Sequence, residues 1–340
     1  MEYRIYSVLI NKLKMKKTVF VLAILLSGIA LRVEAQSGPN KPEKVRLYDM
    51  HWRDVCIFPD TTSGYYYMIG PGWKTVLSYR SKDLILWEDP RTIFEIPENF
   101  WGDIDIENIW APELHFYKGK YYLFLTFNTS HKLDEQWPNW RPRVTRGSQI
   151  LVSDSLTGPY KPFQNHSTLP VDMMTLDATL WEEDGKPYIV YAHEWVQISN
   201  GTMEHMQLKD DLSETVGEPV LMFRGNAAPW VLASRTEGCF VTDGPYMWRN
   251  KADKLMMIWA SFGEGGYTEG VAFSESGRLA GPWLQHAEPV YKNDGGHGML
   301  FETFEGKLMM VLHSPNNRDS RPHIFEMEDT GDALKIKKEL

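Results

Sequence analysis

A five-fold recurrence of one short phrase governs what this chain can become. The phrase is a Gly or Asp suited to a tight turn, followed by a burst of aromatic and aliphatic residues. It stands as Gly64-Tyr65-Tyr66-Tyr67, Gly119-Lys120-Tyr121-Tyr122-Leu123, Gly185-Lys186-Pro187-Tyr188-Ile189, Asp253-Lys254-Leu255-Met256-Met257 and Gly306-Lys307-Leu308-Met309-Met310. About six to ten residues before each copy, one strand length, lies an acidic residue or a histidine: Asp54, Glu113, Asp177, Asp243 and His297. Strand-like runs flank the turns, so each copy reads as a hairpin. A second phrase follows in several units: Ser81-Lys82-Asp83-Leu84 with Trp87, Ser153-Asp154-Ser155-Leu156-Thr157-Gly158-Pro159-Tyr160, and Ser274-Glu275-Ser276-Gly277 with Gly281-Pro282-Trp283. It reads as the turn between a third and a fourth strand.

Four antiparallel strands repeated every ~50 to 70 residues describe a propeller blade. The expected fold is all-β, a five-bladed β-propeller with blades at about 45–100, 101–165, 166–230, 231–287 and 288–340. No stretch carries a long, capped 3.6-residue period, which excludes helical repeats. A β-sandwich fits five like units poorly. In a propeller the first strand of each blade lines the central channel, so the residues before the first turns converge on one mouth. The second strands return to that mouth and bring Glu194 and His313 to its rim.

The beginning of the chain reads as a targeting segment. Met15-Lys16-Lys17 is a basic start, residues 19–29 are apolar, and Val33-Glu34-Ala35 resembles a cleavage site. Residues 1–35 are thus expected to be a signal peptide, with Met15 as an alternative start, and 36–340 a single catalytic propeller that is exported to the periplasm or secreted. The apolar run is shorter than the ~20 residues a spanning helix needs. The net charge of −9 argues against nucleic acid and against anionic membranes. Two Cys in an exported chain suggest a disulfide. Strand counting puts Cys56 and Cys239 at heights differing by roughly 20 Å, beyond the ~7 Å limit of a bridge, so both are expected free.

Converging carboxylates without a Cys/His cluster suggest acid–base hydrolysis. Glycoside cleavage needs one carboxylate as base or nucleophile and one as proton donor, and a third can keep the donor protonated by like-charge repulsion. Asp54, Asp177 and Asp243 offer that set. Taken together, His51-Trp52-Arg53-Asp54, Trp110-Ala111-Pro112-Glu113, Leu176-Asp177-Ala178-Thr179-Leu180, Thr242-Asp243-Gly244-Pro245 and Gly296-His297-Gly298 stand in the order seen in glycoside hydrolase family 43, which the chain resembles over nearly its whole mature length. The resemblance implies a five-bladed propeller that hydrolyses arabinose- or xylose-containing plant polysaccharides with inversion. It also implies Asp54 as general base and Asp177 as pKa modulator.

One departure stands out, because the family's general acid is usually a Glu before Gly-Pro and this chain has Asp243. Three readings stay open: Asp243 is the acid, Glu194 in His193-Glu194-Trp195 is the acid, or the site is a carbohydrate binder without turnover. Nothing in the sequence places Glu237 or Glu269 at the mouth. Trp110, Glu113, Glu194, His297 and Arg318 are candidate substrate contacts, with Arg321 beside Arg318. Trp52, Trp73 and Trp181 are further stacking candidates, and Arg53 is expected to point away as a structural residue. Asp103, Asp105 and Glu107 read as a solvated or substrate-facing edge. Relatives imply a calcium site near His297, reached through water since calcium prefers oxygen ligands. The expected activity is α-L-arabinofuranosidase, then β-xylosidase. A retaining fructan hydrolase would want an Asn-Asp-Pro-Asn phrase that Arg53-Asp54-Val55 does not supply.

Overall fold

The structure is a computed structural model that describes residues 42–234 and 238–340; the expected signal peptide and Glu237 lie outside the described residues. Five antiparallel sheets follow one another in chain order, each a meander of neighbouring strands. Their first strands are Cys56–Asp60, Ile106–Tyr117, Thr175–Glu183, Asp243–Arg249 and Gly296–Glu302. First strands of consecutive blades pack against one another, which sets them around a common axis. The five-bladed propeller and its blade boundaries agree with the reading of the repeats.

The repeated phrases form the turns assigned to them. Gly64, Gly119, Gly185, Asp253 and Gly306 all sit at positive φ in the first hairpins, where Gly and Asp are least strained. In the second phrase a buried aromatic donates to a nearby carbonyl. Trp87 Nε1 bonds Leu84 O at 3.2 Å, Tyr160 Oη bonds Leu156 O at 2.7 Å, and Trp283 Nε1 bonds Leu279 O at 2.9 Å. Each such ring closes its own turn and fills the space beneath its blade.

Blade 1 has a fifth strand, Lys44–Arg46, paired to the outside of Leu86–Glu95. Blades 1 and 5 therefore share no sheet, and side chains close the ring. Tyr66 stacks on Phe304 at 4.4 Å and accepts from Phe304 N at 3.0 Å; Met299 Sδ accepts from Ile57 N at 3.0 Å; Arg321 bonds Tyr48 O. Arg321 is thus a closure residue. Cys56 and Cys239 are buried and free.

One backbone feature recurs at the same height in every blade. Asp54, Ala111, Asp177, Gly244 and His297 all have positive φ, between 41° and 57°. In blades 2 to 5 the pairing of the first and second strands slips there, between Trp110 and Glu113, Leu176 and Thr179, Asp243 and Tyr246, and Gly296 and Met299. These left-handed residues form an inner ring. The residue before each, namely Arg53, Trp110, Leu176, Asp243 and Gly296, forms an outer ring nearer the mouth. Two residues after each, Cys56, Glu113, Thr179, Tyr246 and Met299 occupy the next level down the channel.

Ala111 is the one inner-ring residue with neither a polar side chain nor the freedom of Gly. A left-handed L-residue costs about 1–2 kcal/mol, partly offset by the flexibility Gly adds to the unfolded chain. Ala111→Gly is expected to stabilise the protein by up to about 1 kcal/mol, and Ala111→Val to destabilise it, as read by urea unfolding. A less stable glycine variant would mean that the Ala111 methyl packs better than its backbone is strained.

Candidate active site

The rings open into a cleft of about 1200 Å³ that Asp54, Asp177, Asp243, Glu194 and His297 all line. Asp54 is wrapped by cationic and imidazole groups. Arg53 Nε donates to its Oδ2 at 3.0 Å, and His297 Nδ1 lies 3.5 Å from its Oδ1. His313 Nδ1 approaches the same oxygen to 3.0 Å, an electrostatic contact bent away from hydrogen-bond alignment. Asn316 Oδ1 joins the two partners by accepting from Arg53 Nη2 at 3.0 Å and facing His313 Nε2 at 3.3 Å. Burial alone would push the Asp54 carboxyl up, but His313, His297 and Arg53 overturn that and hold it far below the usual carboxylate range.

Asp177 shares only His297, whose Nδ1 lies 3.6 Å from its Oδ2, and Asp243 has no ion-pair partner within 4 Å among the described residues. Asp177 accepts from Gly244 N at 3.1 Å, and its own N–H donates to Thr126 Oγ1 at 2.9 Å. Burial first and the charge of Asp54 second raise it to about 8. Asp243 accepts from Tyr267 Oη at 3.0 Å. Burial first and Asp177 second raise it to about 7, while His297 and the Tyr267 hydroxyl pull the other way. Tyr267 in turn stacks on His313, with ring centres 5.5 Å apart and planes at 19°. That stack links the Asp243 side of the site to the Asp54 side.

Glu194 reaches the cleft from the end of blade 3's second strand. Its carboxylate pairs with Arg146, which also donates to Asn128 Oδ1 at 2.9 and 2.7 Å. Arg146 lies over the Trp110 ring, 4.3 Å from its centre. Trp110 does line the cleft, but this face of it is covered.

Several expected contacts fall elsewhere. Glu113 sits below the left-handed break, where His115 and Thr179 bind it in the channel. Asp243 is on the outer ring, one residue nearer the mouth than the level of Asp54 and Asp177. Arg53 lines the cleft, because Arg53 and Asp54 precede the first strand and strand alternation does not extend to them. Arg318 lines a separate groove with His51, Trp52 and Arg53. Trp52 is packed against Gly70 and Tyr79, and Trp181 packs among the core side chains of blades 3 and 4 under Arg249. Of the acidic edge, Glu107 lines the cleft and Asp105 pairs with Lys74. Trp73 is on the cleft wall and 70% exposed. Sequence reading left Tyr267 out; the 263–266 turn, rich in Gly, was the signal that could have placed it at the mouth.

A calcium ion reached through water would sit beside His297, whose Nδ1 faces Asp54 and Asp177 at 3.5 and 3.6 Å; the Asp54 Oδ1 on that side is buried without a hydrogen-bond partner. Among the described residues no three His, Cys, Asp or Glu side chains are grouped to hold a metal ion.

The profile of glycosyl hydrolases family 43 matches residues 49–329. The chain belongs to glycosyl hydrolase family 43. A solved endo-arabinase from Bacteroides thetaiotaomicron is 36% identical, with a TM-score of 0.75 over 84% of this chain and 96% of that one. An α-L-arabinofuranosidase from Lactobacillus brevis, 19% identical over 85% of this chain and 96% of that one, shares the fold with a TM-score of 0.67. An extracellular exo-α-(1→5)-L-arabinofuranosidase from Streptomyces avermitilis is 24% identical over 88% of this chain, which spans 61% of that relative. A putative β-xylosidase from Escherichia coli is also 24% identical, over 68% of this family 43 chain and 42% of its own length.

Glu269 is a buried acid outside the cleft. It is fully buried, accepts from Gly298 N at 3.0 Å, and leaves Oε1 without a partner. Burial raises it to about 8 against the opposing Gly298 and His297 backbone N–H groups. The folded state thus keeps a proton that the unfolded chain loses near pH 4.3, so this residue's contribution to stability falls as pH rises from there to about 8. Glu269→Gln cannot ionise. Its melting temperature relative to wild type is expected to rise steadily between pH 5 and pH 9. A difference that stays constant with pH would show that Glu269 does not take up a proton on folding.

Proposed function

We propose that this family 43 chain is an exported hydrolase of arabinose-containing polysaccharides or oligosaccharides that inverts the anomeric centre. Its proposed groups are Asp54 as general base, Asp243 as general acid and Asp177 as the pKa modulator, coupled to Asp243 in its titration. The observation that carries the reading is the opposed environment of two carboxyls in one cleft: cationic and imidazole groups around Asp54, a hydroxyl and a neighbouring acid around Asp243. Environments that push two carboxyls apart assign base and acid.

In this reading Asp54 takes a proton from a water as it attacks the anomeric carbon. Asp243 gives its proton to the glycosidic oxygen as that bond breaks, on the opposite face of the sugar. Inversion requires space for the water, with carboxyls ~6.5–9.5 Å apart. Arabinose is favoured over xylose by the 36%-identical endo-arabinase, and export by the relative described as extracellular. Glu194 is the weaker candidate for the acid, since Arg146 already neutralises its charge.

Asp54→Asn is expected to lower kcat by about 10²–10⁴-fold, with early-time NMR of the wild-type reaction giving the inverted sugar. Asp243→Ala should cripple natural glycosides and spare activated aryl arabinofuranosides. If that leaving-group dependence appears in Glu194→Ala instead, the acid is Glu194. Tight binding without turnover would make the protein a binder.

The pH profile tests the same assignment. Asp54 stays ionised through the working range, so the acidic limb lies low. Activity should fall as pH rises through about 7, where Asp243 loses its proton. Tyr267→Phe removes a hydrogen bond that favours the charged carboxylate, so it should lower kcat and move the alkaline limb of kcat/KM to higher pH. An unmoved limb would detach Tyr267 from the acid.

A further inference from the structure

We propose that Trp73 is a distal sugar-binding platform, so that the cleft recognises a chain of several pentose units and not only the one being released. This deepens the arabinan reading above and rests on it. Trp73 is a large apolar side chain that packing does not account for. Trp73 is the most exposed large hydrophobic residue among those described, at 70%, and it lines the catalytic cleft.

Its backbone is as unusual as its exposure. Gly72 and Thr75 pair through Gly72 N to Thr75 O at 2.8 Å, leaving Trp73 and Lys74 as a two-residue hairpin loop between strands Tyr65–Pro71 and Thr75–Ser81. Trp73 has φ 67°, while Lys74 is not in the left-handed region. Positive φ at the first loop residue alone is a type II′ turn, whose first central position calls for Gly. A bulky aromatic there is strained and solvent-exposed at once. Strain of this kind clusters at ligand sites.

The platform is also fixed in place. Trp73 O accepts from Ile109 N of blade 2 at 2.7 Å, Lys74 O accepts from Ile96 N at 3.0 Å, and Lys74 Nζ pairs with Asp105 at 3.2 Å. The ring is thus presented on a pinned turn, with little left to order when a ligand arrives. Among the described residues it enters no ring stack and no cation contact, unlike the other two cleft tryptophans. Arg146 covers Trp110, and Trp195 meets Trp140 edge-on at 6.0 Å beneath Arg141. An open indole face on the wall of a cleft of about 1200 Å³ suits the apolar face of a sugar ring.

The test compares Trp73→Gly and Trp73→Ala with wild type on α-1,5-linked arabino-oligosaccharides of two to six units and on an aryl arabinofuranoside. The ratio of kcat/KM for the longest oligosaccharide to that for the aryl glycoside is expected to drop about tenfold in both variants. Trp73→Gly, which suits the turn, is expected to melt at a higher temperature than wild type. Binding of the six-unit oligosaccharide to Asp54→Asn, read by calorimetry, should weaken by a similar factor when Trp73→Ala is added. This readout does not depend on turnover. Wild type that cleaves arabinans with an unchanged chain-length ratio in the variants would overturn the platform and leave the proposed function standing. Wild type that neither cleaves nor binds the oligosaccharides would overturn both. Dissociation of a wild-type dimer by Trp73→Gly would assign the exposed ring to self-association and overturn the proposal.

Discussion

The site depends on a backbone constraint, one left-handed residue in four of the five first strands and, in blade 1, at Asp54 two residues before the strand begins. A regular strand sends alternate side chains to opposite faces. At a left-handed residue that alternation fails, and two successive side chains reach the mouth. Blade 1 delivers both Arg53 and Asp54, so that the proposed base arrives with its own counter-charge. Blade 4 places Gly at the break and gives its carboxylate to the residue before it. The acid candidate Asp243 is therefore one ring higher than Asp54 and Asp177. Offset of this sort, created by the chain path and not by side-chain length, suits a reaction that must fit a water on one side of the sugar and a proton donor on the other. The inner-ring strain is of the kind that surrounding structure must pay for at functional sites. Here the payment is visible as the Gly244 N–H bound to Asp177 and the Gly298 N–H bound to Glu269.

Charge distribution then separates chemically identical groups. Five carboxylates line one cleft: Asp54, Asp177, Asp243 and Glu194, with Glu107 beside Asn128. Arg53, His297 and His313 gather on Asp54, and Arg146 takes Glu194. Asp177 and Asp243 are left with one backbone N–H and one phenol as their close donors. With His297 Nδ1 between Asp54 and Asp177, the positive potential falls off from blade 5 towards blades 3 and 4. Burial magnifies the difference, because each unpaired carboxylate raises its neighbour more strongly in a poorly hydrated site.

Much of this was legible in the chain. Turn chemistry is local, so five Gly or Asp turns fixed the number of blades and the hairpin positions. The order Asp54, Asp177, Asp243, His297 placed four cleft residues together across almost the whole molecule. What escaped depended on the break at each first strand. Counting back from the turn assumes continuous alternation, which put Glu113 level with Asp54 and turned Arg53 away. The slip between Trp110 and Glu113 drops Glu113 into the channel, where Thr179 of blade 3 holds it. Trp110 was legible as a cleft residue, but its cover was not, since Arg146 arrives from the third strand of the same blade. The role of His313 arises from a contact between blades, and that of Tyr267 from a bond across its own blade to Asp243; no local pattern encodes either.

The short acid makes physical sense only with its neighbours. Blade 5 has Gly296 on the outer ring, where the other blades carry Arg53, Trp110, Leu176 and Asp243. A Cβ on Gly296 would stand 3.0 Å from the Tyr267 ring and 3.1 Å from the Ala260 methyl. The missing side chain is what lets the Tyr267 ring lie against His313 and reach Asp243. Asp243, Tyr267 and Gly296 thus form a unit: the glycine admits the ring, and the ring's hydroxyl bonds the carboxyl and favours its charged form, the form the proposed acid would be left in after giving up its proton. In the proposed reading, the Tyr267 bond holds Asp243 in one orientation and so offsets the loss of one methylene relative to the usual Glu.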